Sequence, residues 1–396
     1  MKLFQKLLLA PAALGMLTPL AATASESNLK DVSSYSMSGV EVSVDTFKPL
    51  TNENPLLAGG EGTNDVSSSQ SDFDVDTFSS TTSATFSTNI AVGSVDTSAA
   101  NDNSLGWNFD WELATSTSFT GNDSLDVVLS AGVSKLMSEL DMTNHSDVRV
   151  EKISYTTSLG DRTNFFFGIG ETAGSSLYNT ACVYGAQTDT LSDCGVSAAN
   201  LDEEFGTATG ANFNFGNGFS AALGYEGQGM TTAGLLSDEG ADAFGAQVAY
   251  TGDNYGVSVS WANIENHDAL NALTGSTGST QSRAVNAYYT PDIENFPSIS
   301  VGFETSHDDT LAANEDETSH YFVGLQFNEL GNGTLGAALG SKAPYKENSN
   351  ALTMYEVFYS YNYADGITLT PIYYSKENSG NTQNETGIIV KAAYSY

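Results

Sequence analysis

From residue 78 to the C-terminus, short segments that alternate apolar with small polar residues are joined by connections that are by turns tight and long, without a break. No other feature of the chain restricts its fold as much. The alternation is clearest at Trp107, Phe109, Trp111 and Leu113, with Asn108, Asp110 and Glu112 between them. It recurs at Tyr255, Val257, Val259 and Trp261, and at Tyr355, Val357, Tyr359, Tyr361 and Tyr363 opposite Glu356, Ser360 and Asn362. Period two is the signature of a strand. Five connections carry hairpin-turn chemistry: Gly121-Asn122-Asp123-Ser124, Gly160-Asp161-Arg162-Thr163, Gly216-Asn217-Gly218, Gly252-Asp253-Asn254 and Ala364-Asp365-Gly366. Residues 291–297 and 328–333 add two slightly longer turns, making seven. Between them fall eight long polar connections, near 96–105, 135–149, 172–207, 228–242, 264–282, 308–318, 341–353 and 375–385.

Eight long and seven short connections join sixteen strands and leave both chain ends on the short-turn side, the pattern of bacterial outer-membrane barrels. A soluble β-sandwich would also show one greasy face per strand, so alternation alone does not separate core from lipid. It has no reason, however, to place every long loop at one end. No segment after residue 25 is apolar over a membrane-spanning length, and only helices and closed barrels satisfy their backbone groups in lipid. The expected fold class is therefore all-β: a transmembrane antiparallel β-barrel of about sixteen strands over residues 78–396, in an outer membrane.

Ahead of it, Lys2 and Lys6, the apolar run Leu7 to Leu20 and the triplet Ala22-Thr23-Ala24 read as a secretory signal peptide over residues 1–24. Residues 25–77 show no sustained period and read as a flexible extension. Charge supports the membrane reading. Charged residues make up 15% of the chain, against about a quarter in soluble domains. The 48 acids against 13 bases, for a net charge of −35, argue against a nucleic-acid partner. The acidity is either a solvated, repulsive surface or a field that favours cations inside the barrel.

Strand parity places Asp110, Glu112, Glu304 and Glu356 on the lumen face, opposed by Lys152 and Lys391. Each is a candidate for lining a pore, the alternative for each being a rim charge. Cys182 and Cys194 lie in the longest connection, 172–207. Export permits a disulfide between them, with two free thiols as the alternative. With that bridge, the connection is expected to fold into the barrel as a constriction loop; otherwise it is an ordinary surface loop. Trp107, Tyr155, Tyr250, Trp261 and Tyr394 suit interfacial girdles facing lipid. The four histidines (His145, His267, His307, His320) are scattered and pair with no Ser and acid, so an enzyme is not expected. No cofactor or metal site is read: the two cysteines have no histidine near them, and the acids at 308–309 and 315–317 match no calcium loop, though they could hold cations that bridge lipopolysaccharide. The last strand, 387–396, puts Tyr396, Tyr394, Ala392, Val390 and Ile388 on one face, a form that barrel-assembly machinery is expected to recognise although Tyr replaces the commoner Phe at the end.

The stretch Thr117-Ser118-Phe119-Thr120-Gly121-Asn122-Asp123-Ser124-Leu125 resembles the strand-turn-strand signature of the cyanobacterial outer-membrane porins. Phe78 to Val92, Tyr155 to Gly170 and Asn212 to Tyr225 support the likeness, as does Asn28 to Tyr35 at the start of the exported chain. The resemblance covers roughly the first half of the chain. It implies a diffusion pore for small hydrophilic solutes and inorganic ions, in a family grouped with carbohydrate-selective porins. Many members carry a surface-layer-homology domain; residues 25–77 offer no Trp and no helical period on which to build one, so the short marine picocyanobacterial type fits better. A homotrimer is expected by analogy with other sixteen-stranded porins. The competing readings are a structural or adhesive outer-membrane barrel and a barrel enzyme.

Overall fold

The computed structural model describes residues 81–396 except 98–103, 135–136, 141, 232–233, 238–239, 267–277, 312–315, 347–348 and 379–383. The expected signal peptide and extension lie outside the described residues. Seventeen strand segments follow one another: β1 (Thr82–Asp96), β2 (Gly106–Thr117), β3 (Asp123–Val133), β4 (Arg149–Leu159), β5 (Thr163–Gly170), β6 (Thr207–Gly216), β7 (Phe219–Gly227), β8 (Asp242–Thr251), β9 (Tyr255–Asn266), β10 (Gly278–Tyr289), β11 (Ser298–Asp308), β12 (Glu317–Phe327), β13 (Gly333–Ser341), β14 (Tyr345–Lys346), β15 (Thr353–Ala364), β16 (Ile367–Lys376) and β17 (Glu385–Ser395). The two-residue β14 pairs with Thr318 and Ser319 of β12, beyond the point where β13 ends, and so prolongs the β13 position instead of adding one. The wall thus has sixteen staves.

Each stave is antiparallel to its neighbours, and β1 pairs with both β2 and β17, which closes the barrel. An even number is what lets an antiparallel sheet close on itself. The seam is completed at the last residue, where Phe86 and Tyr396 exchange two backbone hydrogen bonds of 2.9 Å. The tight turns form where the turn residues predict them. Gly216, Asn217 and Gly218 all have positive φ (85°, 54° and 85°) between β6 and β7; the space around Gly216 is open, so it is backbone conformation that selects glycine there. Strand β4 carries a bulge. Val128 pairs with Lys152 and Leu129 with Val150, so Glu151 is the extra residue of β4, and Lys152 and Val150 lie on opposite faces.

The two faces differ as period two requires. Trp107, Leu223 and Tyr363 stand 65%, 65% and 62% exposed on the outside, while their neighbours Asn108 and Ala222 turn inward and are buried. A continuous outer band of such residues suits apolar surroundings. Among the described residues no helix is long and apolar enough to cross a membrane.

The inner face is not uniformly polar, as parity alone would have it. Phe322, Met354, Phe358, Ile372, Tyr374 and Ile389, on β12, β15, β16 and β17, point inward and are buried. They join Met137, Leu140 and Met142 of the β3–β4 connection and Tyr184, Leu191 and Cys194 of the β5–β6 connection in one apolar cluster. The core of this protein therefore lies inside the barrel, packed against one side of its wall, and two loops supply its inner half.

Candidate functional site

The β5–β6 connection, residues 171–206, lies along the inner wall. Its polypeptide crosses the barrel strand by strand, and at most strands an inward side chain accepts a hydrogen bond from a loop amide. Gly174 N donates to Glu226 Oε1 of β7 (2.6 Å), Asn179 N to Gln247 Oε1 of β8 (2.6 Å) and Ala181 N to Ser258 Oγ of β9 (2.9 Å). Val183 N reaches Ser300 Oγ of β11 (3.1 Å), Gly185 N reaches Gln326 Oε1 of β12 (2.8 Å), and Gln187 N reaches Glu356 of β15. The returning limb repeats this, with Ala199 N on Glu304 Oε2 of β11 (2.7 Å) and Glu203 N on Glu226 Oε2 (3.2 Å). A loop buried in this way would strand its backbone donors unless the wall supplied acceptors, and here it does.

Small residues on the wall let the loop approach. A Cβ added at Gly302 of β11 would stand 2.0 Å from the Cys194 carbonyl oxygen, and one at Gly224 of β7 would stand 2.3 Å from that of Gly174. Cys182 and Cys194 are bonded, with Cα atoms 6.0 Å apart. Just inside and beyond the bridge, Asp193, Cys194, Leu201 and Glu204 take positive φ (49°, 53°, 58° and 52°). Such residues cost on the order of 1 kcal/mol each; Leu191, Val196, Ala199 and Leu201, all essentially fully buried, supply the packing that holds them. Burial, then the nearby Glu356 carboxylate, push the Tyr184 hydroxyl above its ordinary value, so it stays a neutral donor to Glu356 Oε1 at 2.8 Å. Burial likewise raises Glu203.

All six parity-selected residues lie on the inner face, but they do different things. Glu304 and Glu356 are covered by the loop and serve as its anchors; Glu356 also accepts from Thr188 Oγ1 (2.7 Å). Asp110 is buried. Its Oδ1 accepts from Asn89 Nδ2 (2.9 Å) on β1 and its Oδ2 from Thr143 N (3.3 Å) in the β3–β4 connection. Glu112 and Lys152 stay partly open, and Glu112 lies within electrostatic reach of Lys152, Glu151 and Asp110. Lys391 lies midway along β17, between Ala91 of β1 and Thr370 of β16. The anchors Glu226, Gln247 and Ser258 were not singled out by sequence reasoning. Parity puts them inward, but nothing local distinguishes an anchor from any other lumen polar group.

Between the two inward loops and the β4–β5 wall lies a cavity of about 760 Å³. Met142 to His145 form one rim and residues 189–197 the other. Among the described residues six carboxylates line it, those of Glu151, Glu171, Asp189, Asp193, Asp202 and Glu204, with one lysine, Lys342. The bulge in β4 is what delivers Glu151 there. No group of three or more His, Cys, Asp or Glu among the described residues has the geometry to hold a metal ion. A cavity lined in this way is strongly acidic.

No family model matches the chain, and no curated protein does. Its structure is similar to those of bacterial porins. The Pseudomonas putida OprB structure aligns with a TM-score of 0.57 at 10% identity, covering 80% of this chain and 94% of that one. The anion-selective porin from Comamonas acidovorans aligns with a TM-score of 0.56 at 15% identity, covering 80% and 99%. OmpT of Vibrio cholerae, folded in vitro and in its trimer form, aligns with a TM-score of 0.52 at 12% identity, covering 80% and 100%. At these identities the likeness establishes the fold, a closed sixteen-stranded porin-type barrel.

Proposed function

We propose that this chain is an outer-membrane porin, a passive channel for small hydrophilic solutes and inorganic ions that favours cations. The observation that carries the proposal is the long loop laid along the inner wall, beside which lies a cavity lined by six carboxylates and one lysine among the described residues. A ring of acids at close quarters raises the local concentration of cations and repels anions. The fold by itself does not decide the sign of selectivity, since a barrel of the same kind is an anion-selective porin in Comamonas acidovorans. The charges of the lumen decide it, and in this reading Glu112 and Lys152, on the inner face, add to the field beside Glu151 while the loop bridged by Cys182 and Cys194 narrows the lumen.

In the same reading the apolar outer band faces lipid, the long loops face outward with lipopolysaccharide, and the C-terminal strand is the element presented to the assembly machinery. OmpT, of the same fold, occurs in a trimer form; a homotrimer is the oligomer we assign. The kinship with cyanobacterial porins rests on the segments of the first half named above. Planar-bilayer recording of refolded, heat-modifiable protein tests the function. Stepwise, ohmic currents in salt are expected. Folded protein that inserts without conducting would sink the proposal in favour of a structural barrel.

A further inference from the structure

The β3–β4 connection is the second loop that enters the barrel, and one residue of it touches two distant parts of the chain. Glu139 lies in a single 3-10 turn, Ser138–Leu140, and is buried, with 6% of its surface exposed. One carboxylate oxygen pairs with the Lys376 ammonium at the long-loop end of β16, a residue 237 positions away. The other, Oε2, accepts a hydrogen bond of 2.8 Å from Thr190 Oγ1 on the constriction loop. Beneath this clamp, Met137, Leu140 and Met142 pack with Leu191, Met354 and Tyr374. At the other end of the connection, Thr143 N is held by Asp110. The rims of the acidic passage, residues 142–145 on one side and 189–197 on the other, thus belong to two loops that Glu139 joins by a direct polar contact.

We propose that Glu139 is the positioning residue of the channel: it fixes the separation of the two rims by tying Thr190 to Lys376, and so sets a steady open aperture. This rests on the porin reading. A carboxylate removed from water needs both a counter-charge and hydrogen-bond donors. Here the counter-charge comes from the wall and the donor from the constriction loop. The ion pair therefore roots the carboxylate in the barrel, and the hydroxyl attaches the loop to that root. Loss of the hydroxyl alone removes this one tether of the loop while leaving the buried charges paired, which separates positioning from mere stability.

The test uses the full refolded barrel. Thr190→Val is expected to show frequent partial closures and increased open-channel noise in single-channel recording, with unchanged heat-modifiable mobility. Thr190→Ser, which keeps the hydroxyl, is expected to remain as quiet as the parent. Hydrogen exchange read by mass spectrometry supplies a second readout that does not need conduction. Amides of residues 187–197 should exchange about five-fold faster in Thr190→Val, the factor that one net hydrogen bond is worth, and at the parental rate in Thr190→Ser. A parent that does not conduct would refute the porin reading and leave exchange to decide the clamp. A conducting Thr190→Val with parental noise, or parental exchange in that segment, would overturn the assignment of Glu139.

Discussion

Gly302 offers the sharpest perturbation of the buried loop, because what it faces cannot step aside. In Gly302→Ala the new methyl would stand 2.0 Å from the carbonyl oxygen of Cys194, a backbone atom beside a disulfide, with Asn286 Nδ2 at 3.0 Å and Val196 Cγ2 at 3.1 Å. Ordinary contact begins at 3.4 Å, so loop and β11 must separate by roughly 1.4 Å at that point. The bond from Ala199 N to Glu304 Oε2, 2.7 Å long and on the same strand, does not survive a shift of that size. Overpacking costs about 1–3 kcal/mol, and stranding the buried Glu304 carboxylate costs about 1–3 kcal/mol more. The loop can escape only away from β11 and into the passage, so single-channel conductance should fall and open-channel noise rise, with a lower midpoint in the heat-modifiability assay. Gly185→Ala is the control. It lies in the same loop, where a Cβ would meet its nearest neighbour, Gln326 Oε1, at an ordinary 3.6 Å, and it should change nothing. Parental conductance, noise and thermal midpoint in Gly302→Ala would refute the claim that the loop is seated on β11.

Glu356→Ala removes the acceptor of Tyr184, Gln187 and Thr188 together; a loss of about 1–3 kcal/mol of loop docking is expected, read as faster hydrogen exchange over 184–188 with the strands unaffected. Cys182→Ser, or reduction of the parent, should raise channel noise by freeing the loop closed by the bridge; unchanged conductance and noise would count heavily against its role as a constriction. Charge reversal in the passage, Glu151→Lys with Glu171→Lys, should move the reversal potential in a salt gradient towards that of the anion, and an unmoved potential would place the selecting charges elsewhere.

Sixteen strands, their order and their turns were legible in the sequence because each signal is local. Period two reports the faces of a strand, and Gly216-Asn217-Gly218 reports a turn through backbone conformation alone. The inner face of Asp110, Glu112, Lys152, Glu304, Glu356 and Lys391 was readable for the same reason. What each does inside was not. Glu304 and Glu356 become loop anchors only because residues 171–206 return through the lumen, and their partners lie 105 and 168 to 172 positions away. The apolar core inside the barrel was missed because Met354 and Phe358 interrupt the wet face of β15 no more conspicuously than chance would. Glu139 sat in a polar connection with no period to place it. The cysteine pair was the one local hint that the longest loop was structured, and the structure bonds it.

The reversal potential of the parent protein, recorded in a planar bilayer across a salt gradient, tests the central claim most directly. A conducting barrel whose potential is displaced towards the cation's equilibrium value is the predicted result. A potential on the anion side would contradict the field assigned to the six carboxylates, and the absence of any conducting step in folded, inserted protein would contradict the channel itself.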